Sequence, residues 1–437
     1  MKRILTTVLV STAIALPAGI VLAGQGAARP ADKPPVAQAW LDIATFSSPG
    51  MPGGMGGMMG GMMGGGGGGG MPLSAMLGGK SQGNQFGHTR FGGSGSFLDV
   101  TLSTSRNPNL SEALQAVPQG SRLAPTLQLK VLPQAKSVPD DEEPGEVPRG
   151  KIKLYWGCGS TIRSGQPKVV EFATGTGGQM AEIFKGRRAT QRGTHAAAGR
   201  PVWPNLTDKR LVPKGASLAG EHAFTGQGVP DNFKFNLPAQ QDIMPPIALR
   251  QAVANGVTQL SWQPLSTARA YFIAAMGGQG DESGGAEMTL WTSSELPDSG
   301  FGLVDYQTNK SVDQWLKEKV LLPPTASGCE IPRGIFPEGS AGMLRMIAYG
   351  TEINLAHPPR PTDPKIAWEP DWAVKVRVKS VANSMLGMPD MGDDGVDYDA
   401  ATGADGSSSE AAPAEGEPKK KKFSLKGALD AAKQVIP

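Results

Sequence analysis

The chain has 437 residues, enough for two domains and long irregular segments besides. Its 60 Gly and 37 Pro, with only 19% charged residues, disfavour a helical protein and point to strands, turns and flexible tracts. A net charge of +3, with no basic stripe interleaved with aromatics on any segment expected to fold, argues against nucleic acid as a partner.

Lys2 and Arg3 open the chain as a positive stretch, and residues 4–23 are apolar with a break at Pro17. Small residues follow at Ala23, Gly24, Ala27 and Ala28, the residue type a signal peptidase site requires. An uncleaved membrane anchor is the alternative, but Pro17 and the interspersed Thr and Ser favour cleavage. The expectation is a signal peptide over residues 1–23 and export to the periplasm or the exterior.

Residues 24–84 read as a flexible arm. One short strand fits at 39–46, with Trp40 as its large apolar residue. The Gly/Met tract at 51–71 follows; glycine has the most backbone entropy to lose, so the tract is expected to separate the arm from what folds.

A first β-sandwich-like domain is expected over residues 85–238. Apolar and polar residues alternate at 97–103 and 126–131, and again at 151–159, where Ile152, Leu154, Trp156 and Cys158 oppose Lys151, Lys153 and Tyr155. Successive side chains of a strand point to opposite faces, so each stretch has one dry and one wet row. Strands also fit at 169–173 and 233–237. Residues 186–213, rich in Gly, Arg and Pro, take no assignment.

A second β-sandwich-like domain is expected over residues 239–380. Leu260 and Trp262 share a face, a turn follows at 264–268, and Tyr271, Ile273 and Ala275 alternate beyond it. This stretch resembles the early hairpin of a fibronectin type III-like sandwich, and the resemblance implies that Trp262 packs under Tyr271. Further strands fit at 287–292, 343–349, 353–356 and 372–379. In the last, Lys375, Arg377 and Lys379 form a basic outer row of the kind that discourages edge pairing. One helix is expected, with Ser311 and Gln314 as a capping box, Val312, Trp315, Leu316 and Val320 on one side, and Pro323–Pro324 as its stop. It reads as a lid on a sheet end.

Residues 381–437 read as a disordered acidic tail that ends in a basic amphipathic helix, because so few apolar residues cannot offset ordering entropy. The fold class is therefore mainly β: two tandem sandwich-like domains, one short helix, and long disordered Gly/Met-rich and acidic/Lys-rich segments.

Chemistry is harder to find. Two cysteines assigned to separate cores, Cys158 and Cys329, are expected as buried thiols in preference to a disulfide. A Cys158 nucleophile with His195 or His222 is disfavoured by the apolar setting of the sulfur. His88, His195, His222 and His357 lack zinc-site spacing. Gly79-Lys80-Ser81 imitates a phosphate loop but has no strand before it. Arg187, Arg188, Arg192, His195, Arg200 and Arg210 are read as a solvated basic loop, with an anion site as the alternative.

Met55, Met58, Met59, Met62 and Met63, with Met385, Met388 and Met391, present thioethers at Met-x-x-Met spacing, a ligand type that selects copper(I). Lys419, Lys420, Lys421 and Lys422 lead a helix that suits an anionic membrane surface. No catalytic residues are assigned. The leading expectation is a non-catalytic envelope protein that binds or scaffolds an envelope protein or polymer. Copper handling is the second expectation, and an enzyme without recognisable motif is the third.

Overall fold

The computed structural model describes residues 32–49, 89, 94–133, 150–172, 186–187, 194–280, 286–336, 342–363 and 365–386. All of them belong to one compact unit spanning residues 1–393. The protein is mainly β, as the alternation requires.

The first strand, β1 (Ala37–Ser47), pairs in parallel with β17 (Trp372–Leu386) and antiparallel with β2 (Gly95–Thr104). The stretch expected as part of a loose arm is thus a central strand, because nine of its eleven residues are buried, including Leu41 and Ile43 at 0% exposure. Beyond β2 lie β7 (Val202–Trp203), β4 (Thr126–Lys130), β3 (Glu112–Ala116), β8 (Gly220–Thr225) and β9 (Lys234–Leu237). On the other side of β17 come β15 (Gly342–Tyr349), β12 (Ala270–Gly280), β13 (Ala286–Thr292), β5 (Gly150–Trp156) and finally β6 (Lys168–Phe172). β16 (Ile353–His357) also pairs with β17, completing a 14-stranded sheet. Strands from both sides of the boundary drawn at 238/239 share this sheet; β5 runs parallel to β13, for example.

A second sheet of three strands, in the order β10 (Arg250–Ala254), β11 (Val257–Ser261) and β14 (Gly328–Ile331), covers one face of the first. Leu260, Cys329 and Ile331 pack there with Ile273, Trp291, Leu344 and Met346 in the main core. β11 and β12 therefore sit in different sheets, with the Trp262 and Tyr271 rings 5.6 Å apart.

The opposite face of the large sheet carries one nine-residue helix, α1 (Asn309–Lys317), which buries Val312 and Trp315 against Phe46, Phe97, Phe272 and Ile347. α1 covers a sheet face, not a sheet end. Its cap is Thr308, three residues before the expected Ser311: the Thr308 hydroxyl accepts from the Ser311 N–H at 3.2 Å.

Two further expectations change. β17 continues through Leu386, so the tail begins later than 381. Cys158 and Cys329 form a disulfide, their Cα atoms 5.3 Å apart. The alternation in β5 ends at Trp156 because Gly157 takes φ +92°, and the turn carries Cys158 toward β14. Gly159 N–H then donates to Glu330 O at 2.9 Å.

Candidate functional site: a groove at the open end of the large sheet

β6 is the last strand of the large sheet, and a groove of about 1060 Å³ runs beside it. Four consecutive β6 residues, 168–171, line it, with Leu154 of β5, Arg187, Asp298, Ser299, and Trp315 and Glu318 at the end of α1. Direct cross-strand partners share a face, so the pairs Leu154↔Lys168 and Ile152↔Val170 place Lys168 and Val170 on the groove side. Val169 and Glu171 point to the other face.

The far wall is an ion triad. The Arg187 backbone N–H and its Nη1 donate to Asp298 Oδ2, each at 3.2 Å, while Nε and Nη2 donate to Glu318 Oε2 at 3.1 and 2.9 Å. Asp298 Oδ1 also accepts from Gly300 N–H at 2.8 Å. A Cβ on Gly186 would lie 2.8 Å from Asp298 Oδ1, so only glycine lets the chain pass this close to the carboxylate. Hydrogen bonds from Gln314 and from Arg187 hold the Glu318 carboxyl below its ordinary range. Ser299 is 6% exposed, yet its Oγ has no hydrogen-bond partner among the described residues.

A second polar assembly lies on the same face of the sheet, between the strands and their covering loops. Arg377 on β17 and its register partner Asp42 on β1 pair at 2.5 and 2.6 Å. Asp42 Oδ2 also accepts from the N–H and Oγ1 of Thr194, at 3.1 and 2.8 Å. Two residues on, Lys379 donates to Asp305 at 2.8 Å. The Tyr306 ring lies 4.4 Å from the Arg377 guanidinium carbon and 4.2 Å from Lys379 Nζ. Burial lowers the Lys379 pKa, opposed by Asp305; for Arg377 the same penalty is outweighed by the Asp42 carboxylate, and its pKa rises. Burial, with Asp42 adding to it, pushes the Tyr306 hydroxyl well above its ordinary value. The basic row expected on an outer edge is thus interior, with Arg377 at 6% and Lys379 at 2% exposure. These charges answer one another, and the assembly locks β1 to β17.

No family model matches the chain, and no curated protein matches it.

The residues singled out from sequence fall as follows. Of the methionines at Met-x-x-Met spacing only Met385 is described; it is half-buried in β17 opposite Met343. Met55, Met58, Met59, Met62, Met63, Met388 and Met391 lie outside the described residues, as do His88, Gly79-Lys80-Ser81, and Lys419 to Lys422. Cys158 is spent in the disulfide and is no nucleophile. His222 is buried: its Nε2 donates to Leu218 O at 2.8 Å and Gln115 Nε2 donates to its Nδ1 at 3.1 Å. The described members of the basic loop do not converge. Arg187 joins the groove wall, Arg200 lies against His195, and Arg210 pairs with Asp208 at 2.6 Å. Arg188 and Arg192 lie outside the described residues.

Of the groove residues, sequence reading singled out only Arg187 as a binding candidate. Asp298 and Glu318 sit 111 and 131 positions from it, with no local spacing to mark them.

Proposed function

We propose that this chain is an exported, non-catalytic envelope protein with a binding or scaffolding role, and that it takes its ligand in the groove beside β6. The carrying observation is the groove itself. Its volume of about 1060 Å³ is on the scale of ligand sites, and it combines apolar Leu154, Val170 and Trp315 with a few placed polar groups. Its strongest charges hold one another. Arg187 bonds both Asp298 and Glu318, which makes the triad a rigid wall and ties up groups that acid–base chemistry needs free.

Export is supported by the positive and apolar amino-terminal stretch and by the Cys158–Cys329 bridge, since such bonds persist in oxidising compartments.

The test is native mass spectrometry of the protein purified from its own envelope, beside Val170→Trp, which fills the groove from a half-exposed edge position. The reading expects a bound mass on the wild type that Val170→Trp loses while its circular dichroism is unchanged. No bound mass on the wild type, or the same mass on the variant, overturns it.

A further inference from the structure

We infer that the groove's ligand is an extended polypeptide segment that adds to β6 as a further strand, with an acidic side chain facing Lys168. The inference rests on the groove reading and names its ligand class.

The direction of the β6 backbone groups comes first. The Gln166 side chain closes the β5–β6 ladder: its Oε1 accepts from Trp156 N–H at 3.0 Å and its Nε2 donates to Trp156 O at 2.9 Å. Trp156 therefore points both backbone groups toward β6. In an antiparallel pair such residues recur every second position. Leu154, Ile152 and Gly150 thus face β6, and their partners Lys168, Val170 and Phe172 face back. That leaves the N–H and C=O of Val169 and Glu171 directed outward. Among the described residues no strand pairs with this edge.

An outward row of backbone donors and acceptors is a template for another strand, and extended peptides use such edges for affinity while side-chain pockets give selectivity. Proteins usually protect a free edge with charge, proline or a covering loop. Here Lys168 and Glu171 place one charge on each face of the edge, yet Val169 between them is 49% exposed and the groove follows the strand through four residues. At about 3.3 Å per residue this wall is about 13 Å long, the reach of a short extended segment.

Charge then selects the occupant. On the groove side Arg187 is neutralised by Asp298 and Glu318, whereas Lys168 makes no ion pair among the described residues. A strand laid beside β6 sets its groove-facing side chains next to Lys168 and Val170. An acidic residue meets the first and an apolar residue the second, over Leu154. The unpartnered Ser299 hydroxyl, also in the lining, supplies one further polar group.

The test selects a displayed library of random short peptides against the full chain and measures the enriched peptides against two variants. Val169→Pro removes an outward N–H without touching the β5 ladder, a substitution that edge strands tolerate. Lys168→Glu reverses one exposed charge. The inference expects enriched peptides with alternating apolar residues and an acidic one, weakened on the order of tenfold or more by Val169→Pro. Lys168→Glu is expected to shift the preference from acidic to basic. Absence of enrichment, equal binding by Val169→Pro, or indifference to Lys168→Glu overturns it. If Val170→Trp still loses a native ligand in that event, strand addition fails and the groove stands. If Val170→Trp is indifferent too, both fail.

Discussion

Arg377 closes two hydrogen bonds on Asp42 directly across the parallel β1–β17 pair, with both side chains almost fully out of solvent. This contact joins residues 335 positions apart and fastens the two ends of the described chain at the middle of the sheet. Removing one partner of a buried pair leaves an uncompensated charge, which costs about 3–5 kcal/mol. Asp42→Ala is therefore expected to destabilise the protein by about that much in denaturant titration. Replacing both, Asp42→Leu with Arg377→Met, is expected to cost less than the sum of the single changes, because no charge is then stranded.

The Cys158–Cys329 bridge spans 171 positions and ties the turn after β5 to β14 in the other sheet. A loop that long restricts the unfolded chain by about 5 kcal/mol in the chain-entropy description. Cys329→Ser or full reduction is expected to lower stability by up to about that amount, read as a lower denaturant midpoint. Alkylation of the unreduced protein is expected to label neither cysteine.

His222 gives a pH dependence with a definite sign. Burial lowers its pKa below that of an ordinary imidazole, opposed by the Leu218 carbonyl and Asp242. The folded state then holds a neutral imidazole that the unfolded chain protonates more readily. Its stabilising contribution is complete above about pH 6.5 and is lost as pH falls toward the lower folded value, with a slope of at most about 1.4 kcal/mol per pH unit. Denaturant midpoints measured from pH 7.5 down to 5 are expected to fall. His222→Gln, which cannot titrate, is expected to flatten that fall.

The helix cap is a smaller test. Thr308→Ala removes the hydroxyl that accepts from Ser311 N–H and is expected to cost about 1 kcal/mol. Ser311→Ala, the change at the cap position expected from sequence, is expected to cost less. Thermal or denaturant unfolding of the two variants side by side decides between them.

Period two made most of the strands legible. Residues 97–103, 126–131, 343–349 and 372–379 fall within or overlap β2, β4, β15 and β17 because their alternation is clean. Short strands carry no such signal, as in β7, which contributes only Val202 and Trp203 to the sheet. Lys375, Arg377 and Lys379 do lie on the face opposite Val374, Val376 and Val378. Alternation, however, reports a face and not whether that face is covered. Cover comes from Thr194, Asp305 and Tyr306, far along the chain, and nothing local to β17 announces it. The disulfide is hidden for a related reason, since proximity in sequence places the two cysteines in separate cores. β5 and β14 meet only because β5 crosses to pair with β13. The groove is built from the same long-range pairings and was not legible at all.

Backbone amide hydrogen exchange along β6 tests the central claim most directly, because that claim is an outward edge at Val169 and Glu171 beside a ligand groove. In the protein alone, Val170 N–H is expected to exchange slowly and Val169 and Glu171 N–H quickly. On binding an acidic peptide selected on the full chain, the latter two are expected to slow to the rate of Val170. Val169 and Glu171 already as slow as Val170 in the isolated protein, or unchanged when peptide is bound, would contradict it.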